Sequence, residues 1–230
     1  MERYILDTNL FFNIEAGLGL GEKSEEVIKK VTAIGRKIKK EKRGEFLMPP
    51  SAVSEFLSFF PTYRQTGNNK NQQFIKDFLS VLTIKSPDYG RLTIPAQVFY
   101  QLVEEVRQRS YRGLNIGEEE IEKAGRLIME QTTKLFLEKE KSWRETIGVS
   151  PIGKKDFQIK IGEVIKRFRQ RYRQATRVGF LDSVTDLDLI VLAKETEGFL
   201  VSTDEGVLRW GRIFGVKELP ASVWRQRLEG

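Results

Sequence analysis

The sequence predicts an α/β fold, in which a central parallel sheet is packed between helices and carries a long all-helical insertion. Two observations support this prediction. Short apolar runs of strand length alternate with helical periodicity in both end regions of the chain. Between them, residues 95–177 carry helical patterns and no convincing strand. We therefore predict an α/β domain formed by residues 1–90 and 178–230, split by a helical insertion at residues 91–177.

The first part of the chain alternates between strand and helix patterns. A short apolar run precedes Asp7, and residues 17–21 read as a glycine-rich loop. The second strand stops at Pro49-Pro50, and Ser51 is a candidate N-cap for the helix that follows. The predicted strands are 3–6, 46–48 and 81–85, and the predicted helices are 22–42, 52–60 and 69–80.

The same alternation returns after the insertion. Within the insertion, residues 96–110, 118–145 and 155–177 are predicted to be helical. The predicted strands that follow are 178–181, 198–202 and 213–217, with helices at 185–195, 205–211 and 220–227. Parallel strands joined by helices of this length are typical of an open α/β sheet.

Composition limits the chemistry that this chain can perform. Its 230 residues contain no Cys and no His, which excludes thiolate chemistry, His-dependent triads and most zinc sites. The net charge is +7, which favours a polyanionic partner. No apolar run approaches 18 residues, and the N-terminus has no signal-peptide pattern, so we expect a cytoplasmic protein without a membrane span.

Four aspartates form the candidate catalytic site. Asp7, Asp182 and Asp204 each follow an apolar run, and Asp186 lies four residues after Asp182, on the same side of a helical turn. The carboxyl ends of parallel strands meet in one crevice, where four carboxylates would need a hard cation such as Mg²⁺ or Mn²⁺. Taken singly, each aspartate could instead cap a helix, which is the commoner role of an aspartate at such a position.

Two further carboxylates are candidates for the same site. Asp188 fits a capping box with Thr185, as Glu205 does with Ser202, so we expect a mainly structural role for it and keep metal contact as the alternative. Glu55 lies on an otherwise apolar helix. It is either exposed on the opposite face of that helix or directed at a metal, and the helical pattern does not decide between these.

A basic segment precedes the second half of the predicted sheet. Residues 166–177 contain no acidic residue and carry Phe168 and Tyr172 among their basic side chains. A solvated helix face is the simplest interpretation, but a run of arginines without acidic neighbours favours contact with a nucleic-acid backbone. The candidate RNA-binding residues are Arg167, Arg169, Arg171, Arg173 and Arg177.

These motifs together resemble the PIN-domain nucleases. The resemblance rests on Ile5-Leu6-Asp7-Thr8-Asn9, a helical Glu55, the run from Leu181 to Asp188, and Ser202-Thr203-Asp204. Within that group the chain resembles the HARP family, homologues of the Aquifex protein-only ribonuclease P, some of which are labelled RNA ligase partner. The resemblance implies a PIN-like three-layer sandwich around a parallel sheet, with a helical insertion.

The resemblance also implies a function. It predicts metal-dependent removal of the 5′ leader from precursor tRNA without an RNA subunit, with Asp7, Asp182, Asp186 and Asp204 binding Mg²⁺ or Mn²⁺. It predicts tRNA contact by Arg169 and Arg173, and homo-oligomers that form through the insertion. The apolar stripe of residues 121–136 would supply the contact surface, unless it packs within its own monomer. A toxin-like PIN endoribonuclease and a non-catalytic partner of an RNA ligase are the alternatives.

Overall fold

The structure is a computed structural model that describes residues 1–13, 19–61, 73–142, 154–181 and 183–229. The chain divides into two compact units. The first comprises Met1–Phe99 with Gly179–Gly230, and the second comprises Tyr100–Val178. The predicted insertion spans residues 91–177, whereas the second unit spans residues 100–178. Among the described helices, none combines the length and apolar character needed to cross a membrane.

A five-stranded, all-parallel sheet forms the centre of the first unit, which confirms the predicted fold class. Its strands, in spatial order, are β3 (Leu82–Ile84), β2 (Gly44–Met48), β1 (Glu2–Leu6), β4 (Phe199–Ser202) and β5 (Lys217–Pro220). The chain builds outward from β1 in one direction and then returns to its other side. The strand order therefore reverses between β1 and β4, the position where α/β sheets bind their ligands.

Helices pack on both faces of this sheet. They are α1 (Asn9–Phe12), α2 (Ser24–Lys40), α3 (Pro50–Ser58), α4 (Gln73–Val81), α7 (Val184–Thr196), α8 (Glu205–Ile213) and α9 (Ala221–Glu229). On one face, Phe46 of β2 packs against Trp224 of α9 and lies close to Gly35 of α2. On the other face, Leu200 of β4 lies close to Gly211 of α8, and α7 contacts β1 and β4. The result is the three-layer arrangement that the resemblance implied.

Two predicted strands differ from the structure. Residues 178–181 were predicted as a strand but form a turn, in which Gly179 has a φ of 71°. Phe180 packs its ring against Trp210 of α8, with 5.5 Å between ring centroids, so its apolar character reflects burial rather than sheet pairing. The last strand begins at Lys217 rather than at 213, because α8 continues to Ile213 and the chain then turns through Gly215 at a φ of 71°.

The second unit contains a helical hairpin. Helix α5 (Ala96–Ser142) begins in the first unit and continues into the second, and α6 (Lys154–Thr176) runs antiparallel to it. The two helices predicted at 96–110 and 118–145 are one continuous helix. Gly113 lies between the two predicted helices. The Tyr172 ring of α6 occupies the space that a side chain at Gly113 would need, 2.8 Å from an added Cβ. Further along, Glu120 of α5 is 3% exposed and lies between the arginines of α6.

Candidate active site

The two strands on either side of the reversal each deliver an aspartate. Asp7 follows β1 directly, and Asp204 lies two residues beyond β4. The backbone N–H of Asp7 donates to the carbonyl of Val201 in β4 at 3.0 Å, so the pairing of the two strands extends to the aspartate itself. The sheet therefore places Asp7 and Asp204 at the same edge, as the sequence predicts.

Asp7 is a buried carboxylate, only 1% exposed. Its Oδ2 accepts the hydroxyl of Ser202 and the side-chain N–H of Asn9 at 3.3 Å, and its Oδ1 accepts the backbone N–H of Asn9 at 3.2 Å. Burial raises the pKa of the Asp7 carboxyl. The hydrogen bonds from Ser202 and Asn9 oppose this shift, whereas the negative charge of Asp204 adds to it. Asp7 is thus a costly buried charge that a bound cation would stabilise.

Asp204 caps α8 and also helps to form the edge of the site. Its Oδ1 accepts the backbone N–H groups of Gly206 at 2.6 Å and Val207 at 3.3 Å, while its own N–H donates to Ser202 Oγ at 2.8 Å. The predicted capping box of Ser202 with Glu205 is therefore wrong. Ser202 instead bridges the two aspartates, because its hydroxyl donates to Asp7 and accepts from Asp204.

Helix α7 begins with a capping box that the sequence analysis assigned to the wrong pair. Ser183 accepts the N–H of Asp186 at 3.1 Å, and Asp186 Oδ2 accepts the N–H of Ser183 at 3.2 Å. The predicted capping box of Thr185 with Asp188 is therefore wrong, and Asp186 closes the box instead. Only Oδ2 of Asp186 takes part in the box, and Asp182 lies outside the described residues.

The residues at this edge fit a hard divalent cation by their chemistry. The candidate donors are oxygen atoms, which suit Mg²⁺ or Mn²⁺. Thr203, between Ser202 and Asp204, has a buried hydroxyl oxygen without a hydrogen-bond partner in the described part of the chain. Within that same part, which does not include Asp182, no three Asp or Glu side chains are grouped closely enough to hold a metal ion.

Asp188 has a different environment from the other aspartates. Its Oδ2 accepts the hydroxyl of Ser51 at the start of α3, and its Oδ1 accepts the hydroxyl of Tyr89 in the short 3-10 turn Tyr89–Arg91. The predicted N-cap role of Ser51 is wrong, since Pro49 occupies that position and Ser51 turns towards α7. Glu55, on the same helix, is exposed.

The arginines of the second unit fall into two groups. Arg167 and Arg171 turn towards α5 and pair with the buried Glu120, at 2.8 and 2.7 Å. Arg171 also pairs with Glu119 at 2.8 Å. The acidic partners that the local sequence lacks are thus supplied by the other helix. Arg169 and Arg173 are exposed and lie with Lys166 and Gln170 on one face of α6. Arg177, beyond the end of α6, is exposed as well.

Sequence reasoning missed three supporting residues of the candidate site. Ser202 and Asn9 hold the Asp7 carboxylate, and Tyr89 holds Asp188. The Asp-x-Asn spacing of residues 7–9 signals the contact of Asn9 with Asp7, because a backbone N–H two residues after an aspartate is a common partner of its side chain. No local signal identifies Ser202 as a donor to Asp7 or Tyr89 as a donor to Asp188, since both contacts join distant segments.

Known proteins resemble this chain along its whole length. The family described as "PINc domain ribonuclease" matches residues 3–230. A protein of Hyperthermus butylicus named "RNA-free ribonuclease P" is 32% identical, over 99% of this chain and 87% of its own length. Proteins of the same name from Nitrosococcus oceani and Thermodesulfovibrio yellowstonii are 32% and 30% identical. These alignments cover 100% and 94% of this chain, and 95% and 87% of the two relatives.

Proposed function

The chain belongs to the RNA-free ribonuclease P family of PINc-domain ribonucleases, and from this premise we propose that it removes the 5′ leader of precursor tRNA by metal-dependent hydrolysis. One structural observation supports the chemistry. The buried Asp7 and the neighbouring Asp204 repel each other at the strand reversal, where a cation would be most favourable.

The proposed ligand set contains the four aspartates of the sequence analysis. Asp7, Asp186 and Asp204 would bind Mg²⁺ or Mn²⁺ together with Asp182. We leave out Asp188, which is held by Ser51 of α3 and by Tyr89, and Glu55, which is exposed. When bound, the cation supplies an activated water and stabilises the charge that develops on the leaving oxygen.

Side chains of the protein then orient the reacting groups. The oxygen of water forms a bond to phosphorus and the P–O3′ bond breaks, so the leader leaves with a 3′-hydroxyl and the tRNA keeps a 5′-phosphate. Ser202 and Asn9 fix the direction of the Asp7 carboxylate. Because the chain has no His, no imidazole base takes part.

We propose that Arg169 and Arg173 contact the tRNA backbone, with Arg177 as a further cation. Their exposure and their position on one face of α6 support this role. Arg167 and Arg171 would act differently, because their ion pairs with Glu120 hold α6 against α5. Those pairs direct the other two arginines outward, since residues two positions apart point to nearly opposite sides of a helix.

The second unit would also mediate self-association. The side chains of the apolar stripe predicted at residues 121–136 point in two directions. Leu127 lies beside α6, whereas Ile121 and Ile128 are 74% and 45% exposed. Leu114 and Tyr100 continue the exposed row at intervals of seven or fourteen residues, the spacing of a helix-packing seam. The side chains of Leu135 and Phe136 lie outside the described part of the chain.

A cleavage map on precursor tRNA tests the function. The purified protein is incubated with 5′-labelled precursor tRNA and Mg²⁺, with and without EDTA. We expect one metal-dependent cut at the junction of leader and acceptor stem, with a 5′-phosphate on the tRNA and no added RNA subunit. Scattered cuts or cuts in the anticodon loop would instead support a toxin-like endoribonuclease. Binding without any cut would support the RNA ligase partner.

A further inference from the structure

The Asp188 cluster defines a second feature of the first unit, outside the proposed ligand set. Ser51 of α3 and Tyr89 of the 3-10 turn each donate a hydroxyl to Asp188, one to each carboxylate oxygen. Three segments that are far apart in sequence therefore meet at one side chain. Burial and the Asp188 hydrogen bond raise the pKa of the Tyr89 phenol to about 12, so Tyr89 remains a donor at any physiological pH.

The segment before Tyr89 is hydrogen-bonded to α7, the helix that carries Asp188. Glu195 of α7 accepts Lys85 Nζ at 2.7 Å and the backbone N–H of Asp88 at 2.9 Å. Asp188 and Glu195 are seven residues apart, which places them on one face of α7, two turns from each other. Lys85 and Asp88 are thus both held at Glu195, and the Tyr89 side chain reaches Asp188 on the same face. The position of the Tyr89 ring is fixed by these contacts rather than by packing in the core.

The Tyr89 ring itself remains open to solvent, since the residue is 47% exposed. An aromatic side chain with an anchored hydroxyl and an exposed face loses little conformational freedom when a ligand stacks on it. Asp188 also links the ring hydroxyl to the edge of the sheet that carries the candidate active site. Its other donor, Ser51, lies three residues after the end of β2 at Met48, and β2 pairs with β1, which leads into Asp7.

We propose that Tyr89 is a stacking platform for a nucleobase of the single-stranded leader next to the cleavage site, with Asp188 and Ser51 as its positioning residues. This inference rests on the proposed function. Unpaired bases of RNA are recognised by stacking on aromatic side chains, and such stacking tolerates any base identity. The leader has no paired strand, so its last base is free to stack. The tRNA body would then be held by the arginines of the second unit, and the leader by Tyr89.

A cycle of protein and substrate changes tests this inference. Wild type and Tyr89→Ala are compared in single-turnover cleavage of precursor tRNA with a normal or an abasic nucleotide at the last leader position. We expect Tyr89→Ala to lower cleavage of the normal substrate about 10- to 100-fold, the range for loss of one stacked base. On the abasic substrate the two proteins should differ less than threefold, because the stacking partner is already missing. Equal losses on both substrates would overturn the proposal.

Further variants separate stacking from folding. Tyr89→Phe keeps the ring and loses the hydroxyl that binds Asp188, so it should retain more activity than Tyr89→Ala. Tyr111→Ala removes another exposed tyrosine, on α5, and should behave as wild type on both substrates. A 2-aminopurine at the last leader position provides a readout without cleavage. In EDTA its fluorescence should be quenched by wild type and not by Tyr89→Ala. Quenching without cleavage by wild type would contradict the proposed function alone, and equal quenching by both proteins would overturn the stacking role.

Discussion

Ser202 donates its hydroxyl hydrogen to Asp7, although 195 positions separate the two residues in the chain. The contact exists because β1 and β4 are neighbours in the sheet and both end at the same edge. The same hydroxyl oxygen accepts the backbone N–H of Asp204. One buried serine therefore links the two aspartates on either side of the strand reversal, and this arrangement gives the first prediction.

Replacing Ser202 with Ala should weaken both stability and cleavage. The change removes one donor to the buried Asp7 carboxylate and the acceptor of the Asp204 N–H, which should lower the free energy of unfolding by about 1–3 kcal/mol. Loss of a residue that orients a metal ligand typically lowers metal affinity or activity about 10- to 100-fold. Urea denaturation and single-turnover cleavage measure the two effects. Ser110→Ala is the control, because that exposed hydroxyl bonds only within its own helix. Wild-type cleavage by Ser202→Ala would contradict the assignment.

Replacing Asp7 with Asn should abolish cleavage without unfolding the protein. Asn has the same shape, lacks the charge that binds a cation, and removes the cost of burying a carboxylate. We expect cleavage to fall by more than about 100-fold, since even loss of an outer-shell partner costs 10- to 100-fold. RNA binding in EDTA should remain near that of wild type. Asp77→Asn, at an exposed ion pair on α4, is the matched control. Cleavage at the wild-type rate would remove Asp7 from the site.

The two arginine groups of α6 should respond differently to substitution. Arg169→Ala with Arg173→Ala should weaken precursor tRNA binding and reduce the salt dependence of log Kd by about 2, one for each lost phosphate contact. Arg167→Ala with Arg171→Ala removes the same charge but breaks the pairs with Glu120. That control should lower thermal stability and change the salt slope less. Filter binding across a salt series and thermal melts distinguish the pairs, and identical salt slopes would contradict the grouping.

The exposed row on α5 should govern self-association. Ile121→Asp with Ile128→Asp introduces charge into the proposed contact surface, where it would remain unpaired and desolvated. Light scattering after gel filtration should then report the 26.6 kDa monomer instead of an oligomer. Val223→Asp, at an exposed apolar residue of α9, is the control and should leave the oligomer intact. An unchanged mass for the double variant would move the interface elsewhere.

Glu195 should contribute stability that depends on pH. Its hydrogen bond with Lys85, aided by the N–H of Asp88, lowers the pKa of the Glu195 carboxyl in the folded state. Stability from this group is therefore complete above the ordinary pKa of a glutamate and is lost as pH falls through the lower, folded-state value. Glu195→Gln should lower the free energy of unfolding by about 0.5–1 kcal/mol at pH 7, the range for a partly exposed pair. Urea denaturation between pH 7 and pH 3 should show this difference vanish at low pH. A constant difference would contradict the assignment.

The sequence by itself determined the α/β class, most element positions and the aspartates that end β1 and follow β4. Local periodicity carries this information, because it records which side of each helix or strand is buried. It could not distinguish the apolar turn at residues 178–181 from a strand, since a buried turn and a buried strand have the same composition. In the described part of the chain, the sheet consists of β3, β2, β1, β4 and β5 and does not contain this run.

Only the tertiary structure decided which polar groups meet. Asp186 rather than Asp188 closes the capping box of α7, Ser202 reaches Asp7, and Asp188 receives Ser51 and Tyr89. The same holds in the second unit, where Glu120 takes Arg167 and Arg171 and leaves Arg169 and Arg173 facing outward. Hydrogen bonds and ion pairs act over about 3 Å, so their partners depend on the packing of distant segments and not on local sequence.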